Sequence, residues 1–165
     1  MQTLTELLVS ILLVFQSLLG LPSVDTAQPP RESETATVLR VIDGDTIIVD
    51  LDGVEERVRY IGIDTPERAR DGKSECWAEE ATAENEAWVE GKKVQLIPDI
   101  SDRDTYGRLL RYVYVDDTFV QAKLIEAGVA KAIRIEPDTA EYRTLKDLET
   151  TARMEEKGLW GNCFR

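Results

Sequence analysis

Three short clusters carry the side chains best suited to chemistry. They are Asp43-Gly44-Asp45-Thr46, the stretch RYIGIDTPE from Arg59 to Glu67, and Asp104-Thr105-Tyr106-Gly107-Arg108. Carboxylates are hard oxygen donors and favour calcium, magnesium or manganese. Guanidiniums match the geometry of phosphate-like oxyanions and can grip them with two parallel N–H bonds. The chain has no histidine, which excludes Ser-His-Asp and Cys-His mechanisms and mixed Cys/His zinc sites. Its two cysteines, Cys76 and Cys163, are too few for a four-cysteine zinc site. Any metal site must therefore be built mainly from oxygen, and a carboxylate is the natural proton acceptor. Taken singly the clusters are weak signals. Asp-Gly is a common turn, Thr65-Pro66-Glu67 could simply start a loop, and an isolated arginine is usually a solvated charge.

The segments around the clusters read as strands and helices in a definite order. Residues 36–51, ATVLRVIDGDTIIVDL, are rich in Val, Ile and Thr around an Asp-Gly-Asp turn, which predicts strand, turn, strand. Asp52-Gly53 marks a second turn, residues 54–63 a third strand, and Pro66 its end. Residues 76–90 read as a helix with Trp77, Ala81 and Trp88 on one face. Lys92 to Ile97 and Leu109 to Val115 read as the fourth and fifth strands. Thr118-x-x-Gln121 resembles a capping box before a short helix with Val120, Leu124 and Ala127 inward and Gly128 at its end. Residues 129–137 read as an extended link. Asp138-x-x-Glu141 resembles a second capping box, before a helix that turns Leu145, Leu148 and Ala152 inward and stops at Gly158. Trp160 is expected to fold back on the domain. Five strands with a helix between the third and fourth is the order of an OB-fold barrel. The expected class is thus α+β, a five-stranded OB-fold β-barrel with three helices.

The chain has 165 residues, which predicts one domain. Leu7 to Leu21 is an apolar run without a charge, too short to span a bilayer easily and followed by a polar, Pro-containing stretch. It reads as a signal peptide or N-terminal anchor over residues 1–27, with Ala27 as a possible cleavage point. Residues 28–35 follow as a linker and 36–165 as the folded domain. The expected location is outside the cell or at its surface, anchored through that segment. In an oxidising compartment Cys76 and Cys163 tend to pair, closing a loop worth about 3–4 kcal/mol on the chain-entropy account. Two free buried thiols are the other reading.

Together, VIDGDTIIV, RYIGIDTPE and DTYGRLLRYVYV resemble the thermonuclease, or staphylococcal nuclease-like, family in order and near its spacing, from about Ala36 to Trp160. The resemblance implies an OB-fold, calcium-dependent nuclease acting on DNA and RNA, single-stranded DNA included, and leaving 3′-phosphate and 5′-hydroxyl ends. It implies Asp45 and Asp64 as calcium carboxylates, with Thr65 offering its backbone carbonyl. Glu67 would handle the attacking water, Arg59 and Arg108 would hold the scissile phosphate, and Tyr106 would touch substrate. Asp43 would support Asp45 or merely make the turn. The chemistry fits: two carboxylates, a carbonyl and waters suffice for calcium, and guanidiniums neutralise the charge that phosphoryl transfer spreads over equatorial oxygens. The Cys76-Trp77 pair and Gly158-Leu159-Trp160 with Cys163 look like bacterial secreted members, which favours the disulfide. Two departures stand out. Arg134 and Glu136 fall where the family's type member packs the bound nucleotide with tyrosines, and Thr105 replaces a lysine beside Tyr-Gly-Arg.

The net charge of -12 argues against a polyanionic partner. Arg59, Arg68, Arg70, Lys73, Arg103, Arg108 and Arg111 all fall in or near the site segments, however, and a basic rim could act locally while the helices carry the acidic excess. A monomer without an obligate protein partner is expected. The competing readings are a non-catalytic OB-fold nucleic-acid-binding module and a calcium-binding surface protein without a nucleic-acid role.

Overall fold

In the computed structural model, residues 32–69 and 72–163 are described. The apolar N-terminal segment and Arg70 lie outside them.

The first three strands are successive hairpins. β1 (Glu34–Asp43) turns through Gly44-Asp45 into β2 (Thr46–Leu51), which turns through Asp52-Gly53 into β3 (Val54–Tyr60). Asp52 and Gly53 both have positive φ, 53° and 85°, the backbone of the type I′ turn that matches strand twist. After the two-residue β4 (Ile63–Asp64) comes α1 (Ala78–Val89), then β5 (Lys93–Ile97), β6 (Leu109–Val115) and β7 (Thr118–Phe119). The remaining elements are α2 (Val120–Glu126), β8 (Lys131–Ala132), α3 (Tyr142–Met154) and the single turn α4 (Leu159–Asn162).

The sheet order is β3-β2-β1-β5-β6-β7, and β3 also pairs in parallel with β6. That pairing closes five strands into an OB-type barrel. β1 can serve both β2 and β5 because its ladder slips twice, between Val38 and Arg40 and between Val41 and Asp43. Such irregularities raise local twist and bend a strand round a corner. β1 begins two residues earlier than expected, with Glu34 opposite Leu96 and Thr35 opposite Gln95. Val38, Ile47, Val49, Val58, Tyr60, Leu96 and Val113 fill the interior at 1% exposure or less. Each buried side chain of this size contributes about 1.5–3 kcal/mol relative to leaving it in water.

The three expected helices are present, but neither capping box forms. The residue before α2 is Phe119, with no side-chain cap. Gln121 is fully buried instead, where it accepts from Val113 N at 3.0 Å and donates to Arg111 O at 3.1 Å. It ties α2 to β6 by satisfying backbone groups that burial would otherwise orphan. The residue before α3 is Glu141, again without a side-chain cap. Asp138 is also buried and accepts from the amides of Ile100 and Ser101 at 2.8 and 2.7 Å. Both residues were attractive as local caps, and long-range donors outcompeted that role. The expected extended link also gains a partner, because β8 pairs antiparallel with β4.

α3 ends at Met154, before Gly158, and Glu156 carries a φ of 51°. The chain then passes against the end of α2, where Leu159 N donates to Gly128 O at 2.9 Å. A Cβ on Gly128 would lie 2.4 Å from Lys157 O, so this crossing needs glycine twice over, for its φ of 73° as well. The Trp160 ring lies 4.0 Å from the Arg153 guanidinium.

Cys76 and Cys163 are bonded, with Cα atoms 5.9 Å apart and a separation of 87 positions in sequence. The bond joins the segment entering α1 to the end of α4. Replacing both by serine is expected to lower unfolding free energy by about 3–4 kcal/mol, read by denaturant titration with and without reductant. Equal stability of the two forms would contradict a bridge that constrains the unfolded chain.

Candidate active site

The site forms where the first hairpin turn meets the chain leaving β3. Asp43 Oδ1 accepts from Asp45 N at 3.1 Å, a local turn bond. Asn85 of α1, fully buried, donates to Asp43 O at 2.9 Å and accepts from Tyr60 Oη at 2.9 Å. Tyr60 N in turn donates to Asp45 O at 2.9 Å. The turn is thereby fixed from the helix and from β3 together. Gly44 has a separate reason to be glycine: a Cβ there would sit 2.7 Å from Thr65 Oγ1.

That close approach serves Asp45. Its carboxylate is 3% exposed, and Oδ2 accepts from both Thr65 N and Thr65 Oγ1 at 3.0 Å. Oδ1 accepts from Thr46 Oγ1 at 3.1 Å and faces Arg59 Nε at 3.2 Å. Burial pushes the Asp45 carboxyl up to about 6. The Arg59 charge pulls it down, nearby Asp43 raises it again, and the two Thr65 bonds lower it. Arg59 is equally committed. Nη1 donates to Tyr60 O and Ile63 O at 3.0 and 2.9 Å, and Nη2 to Asp64 Oδ1 at 3.3 Å. Of the five N–H groups of its guanidinium, one on Nη2 remains without a described partner. Asp64 is about half exposed and is held in place by the β4–β8 pairing and by Ile133 N donating to Gly62 O at 2.9 Å.

Glu67 is exposed at the start of the following loop, which Glu75 closes. Glu67 N donates to Glu75 Oε2 at 3.0 Å, and Glu75 N donates to Glu67 O at 3.1 Å. Glu75 adjoins the disulfide at Cys76, so the bridge secures the far end of this loop. Partial burial, then the charges of Asp43 and Asp64, hold the Glu67 carboxyl above the ordinary carboxylate range, against the pull of Arg59.

Arg108 arrives from the loop that leads into β6, the strand paired with β3. Its backbone and Nε both donate to Asp104, at 2.9 and 2.7 Å, while Tyr106 N donates to the same carboxylate at 2.9 Å. Burial alone would raise the Asp104 carboxyl, but these bonds outweigh it and leave it below the usual range. Asp104, unassigned from the sequence, thus shapes the turn and aims Arg108. The parallel β3–β6 ladder sets Arg59 opposite Leu110. Arg59 and Arg108 consequently line one cleft of ≈ 250 Å³, with Tyr60, Asp104, Leu110 and Ile135 among its walls.

Thr65 N and Oγ1 bond Asp45, and Arg59 touches both Asp45 and Asp64; carboxylates and a backbone carbonyl are the hard oxygen donors that calcium prefers. Among the described residues no three acidic side chains make a metal cage, so a carbonyl and waters would have to complete a two-carboxylate site. Burial chiefly raises the Asp45 and Glu67 carboxyls, and repulsion from Asp43, with Asp64 acting on Glu67, adds to it; a cation here would offset both.

The expected basic rim needs correction. Arg111 is 2% exposed and pairs with Glu34 and Asp102, both at 2.8 Å. Arg103 pairs with Glu56 at 2.7 Å and Arg68 with Glu79 at 3.1 Å. These three are largely neutralised, because β1 and a neighbouring loop supply Arg111, β3 supplies Arg103 and the first turn of α1 supplies Arg68 with a carboxylate. Arg134 and Glu136 pair with each other at 2.6 Å, and Ile135 between them lines the cleft. Tyr106 is 83% exposed beside Arg108.

A profile described as staphylococcal nuclease homologue matches residues 57–162. The chain is 34% identical over 152 residues to a thermonuclease of Staphylococcus intermedius, covering 91% of this chain and 90% of that protein. The chain belongs to the staphylococcal nuclease family. A thermonuclease of Staphylococcus hyicus is 35% identical, covering 78% of this chain and 77% of its own length. The SPbeta prophage-derived endonuclease YokF of Bacillus subtilis is 39% identical over 79% of this chain but only 45% of its own length. This membership supports a nuclease function, and it places Arg59, Asp64, Glu67 and Arg108 inside the matched family segment.

Asp45 generates a stability prediction. Its carboxyl is raised on folding, so in metal-free protein the buried charge opposes folding. The penalty is absent below about pH 4, where both states are protonated, grows as pH rises to about 6, and is complete above. Asp45→Asn should therefore raise the metal-free unfolding free energy at pH 7–8 by at most about 3 kcal/mol, seen as a higher melting temperature, with the gain vanishing toward pH 4. Thermal melts in chelator across that range read it, and a loss of stability at neutral pH would refute it.

Proposed function

We propose that the chain is a calcium-dependent nuclease that hydrolyses phosphodiester bonds of DNA and RNA, leaving 3′-phosphate and 5′-hydroxyl ends. The observation that carries the reading is the convergence of Arg59 and Arg108 on one cleft, with Asp45 and Asp64 both against Arg59.

In this reading Asp45, Asp64 and the carbonyl of Thr65 hold the calcium. Calcium, when bound, polarises the phosphate and lowers the pKa of bound water. Glu67 stands exposed beside this cluster with its carboxyl held above the ordinary carboxylate range by partial burial and neighbouring acids. It is the proton acceptor that a histidine-free chain has available, and it orients the attacking water. Arg59, held nearly rigid by four bonds, and Arg108, held through its Nε by Asp104 at the wall of the cleft, bind the phosphate. Their charge meets the negative charge that develops on its equatorial oxygens. The Tyr60–Asn85–Asp43 chain of bonds keeps the aspartates where these roles need them, since small misplacements cost large factors in rate. Tyr106 contacts substrate at the mouth. The apolar stretch before the barrel directs the protein out of the cell or anchors it at the surface, a reading that the Cys76–Cys163 bond supports.

The test is a digestion of single-stranded DNA with calcium, magnesium and chelator in parallel. Cleavage is expected with calcium and not with chelator. Arg59→Ala, Glu67→Ala and Arg108→Ala should each lower kcat by about a hundredfold or more, in the range of losing one transition-state charge partner. Full activity of all three would end the assignment. Oligonucleotide binding with calcium and no turnover would instead favour the non-catalytic module.

A further inference from the structure

Beside the cleft lies a second concavity of ≈ 240 Å³, lined by Arg57, Tyr106 and Arg108. It shares Arg108 with the cleft, so the two are contiguous across one side chain. Arg57 precedes Arg59 by two residues on β3, which puts both on the same face of the strand, about 7 Å apart along it. A single nucleic-acid strand leaving the cleft over this face meets Arg57 about one nucleotide further on.

The charge of Arg57 is available in a way that its neighbours' charges are not. Arg40, Arg59, Arg103, Arg108 and Arg111 each stand in an ion pair. Arg57 is exposed and has no ion pair with a described residue. The two acids that flank it in sequence face other arginines, Glu55 toward Arg40 at 3.7 Å and Glu56 toward Arg103 at 2.7 Å. In a chain of net charge -12, an uncompensated guanidinium at the edge of a phosphate cleft is a local exception. Its companion is also exposed: Tyr106 has its backbone held by Asp104 and its ring 5.6 Å from the Arg108 guanidinium carbon. A cation and an open aromatic face side by side are what a phosphate followed by a base requires.

We propose that Arg57 is a substrate-binding residue of this chain, which takes the phosphate next to the scissile one while Tyr106 stacks on the adjoining base. The proposal rests on the nuclease reading and extends it to an additional subsite for single-stranded substrate.

Arg57→Gln compared with the wild-type chain on oligodeoxynucleotides of two to eight residues tests this, with calcium present. The rise in KM should grow with length, reaching at least fivefold more on the hexamer than on the dimer, with the kcat ratio the same at all lengths. The slope of log KM against log salt on the octamer should fall by about 0.7, one phosphate contact on a single strand. Arg57→Lys should recover most of the loss. An equal effect at every length, or an unchanged salt slope, would overturn the subsite. If the wild-type chain cleaves nothing, the nuclease reading fails. Anisotropy titration of a labelled octamer then still decides Arg57, whose replacement must weaken binding and reduce its salt slope.

Discussion

The parallel pairing of β3 with β6 is the contact on which the rest of the structure depends. These strands are about fifty residues apart in sequence, so their pairing carries a loop-closure cost that only burial behind them offsets. Val58, Tyr60, Leu109 and Val113 supply that burial on the barrel side of the seam. Once the seam forms, the outward residues at its end are set without further adjustment. Arg59 faces one side of the cleft, and the turn through Asp104 delivers Arg108 to the other. A barrel closed in any other register would separate them, because a one-residue slip turns every side chain to the opposite face.

The second constraint is electrostatic. Asp45 is nearly inaccessible and still carries three hydrogen bonds and an ion pair. A buried carboxylate is tolerated only when its oxygens are satisfied, and Thr65 does most of that, approaching so closely that residue 44 can have no side chain. The same interactions that make the charge bearable bring the turn, the end of β3 and the chain leaving β4 to one point. Tyr60 and Asn85 reinforce it from the core, so the acidic cluster is as rigid as the barrel beneath it.

The loop from Asp99 to Arg108 is held differently, by charge at the surface and one buried cation. Arg111 reaches Glu34 on β1 and Asp102 on the loop, and Arg103 reaches Glu56 on β3. Exposed pairs such as Arg103 with Glu56 contribute little stability individually. Their effect is to hold a loop with few apolar contacts in one arrangement, so that Asp104 can present Arg108. The negative charge of the chain thus does not compete evenly with substrate. Part of it is consumed in pinning arginines that shape the site, and Arg57 beside the cleft is left without a carboxylate among the described residues.

The barrel and the segments that converge on the cleft were legible in the sequence because both are written locally. Alternating Val, Ile and Thr between Asp-Gly turns specifies strands, the spacing of Val120 and Leu124 or of Leu145 and Ala152 specifies helical faces, and the absence of histidine leaves carboxylates and arginines to do the chemistry. What only the tertiary structure decided is which polar group meets which. Gln121 and Asp138 have the spacing of local caps, yet Gln121 was taken by the backbone of the preceding strand and Asp138 by amides of a loop far away in sequence. Arg111 sits within the basic segment but turns inward, while Arg57, in no motif, is left without a carboxylate. Asn85 reads as an ordinary helix residue until Tyr60 and Asp43 close around it. Periodicity records which face is apolar. The partner of a charge depends on distances set by chain closure, and those exist only once the barrel has formed.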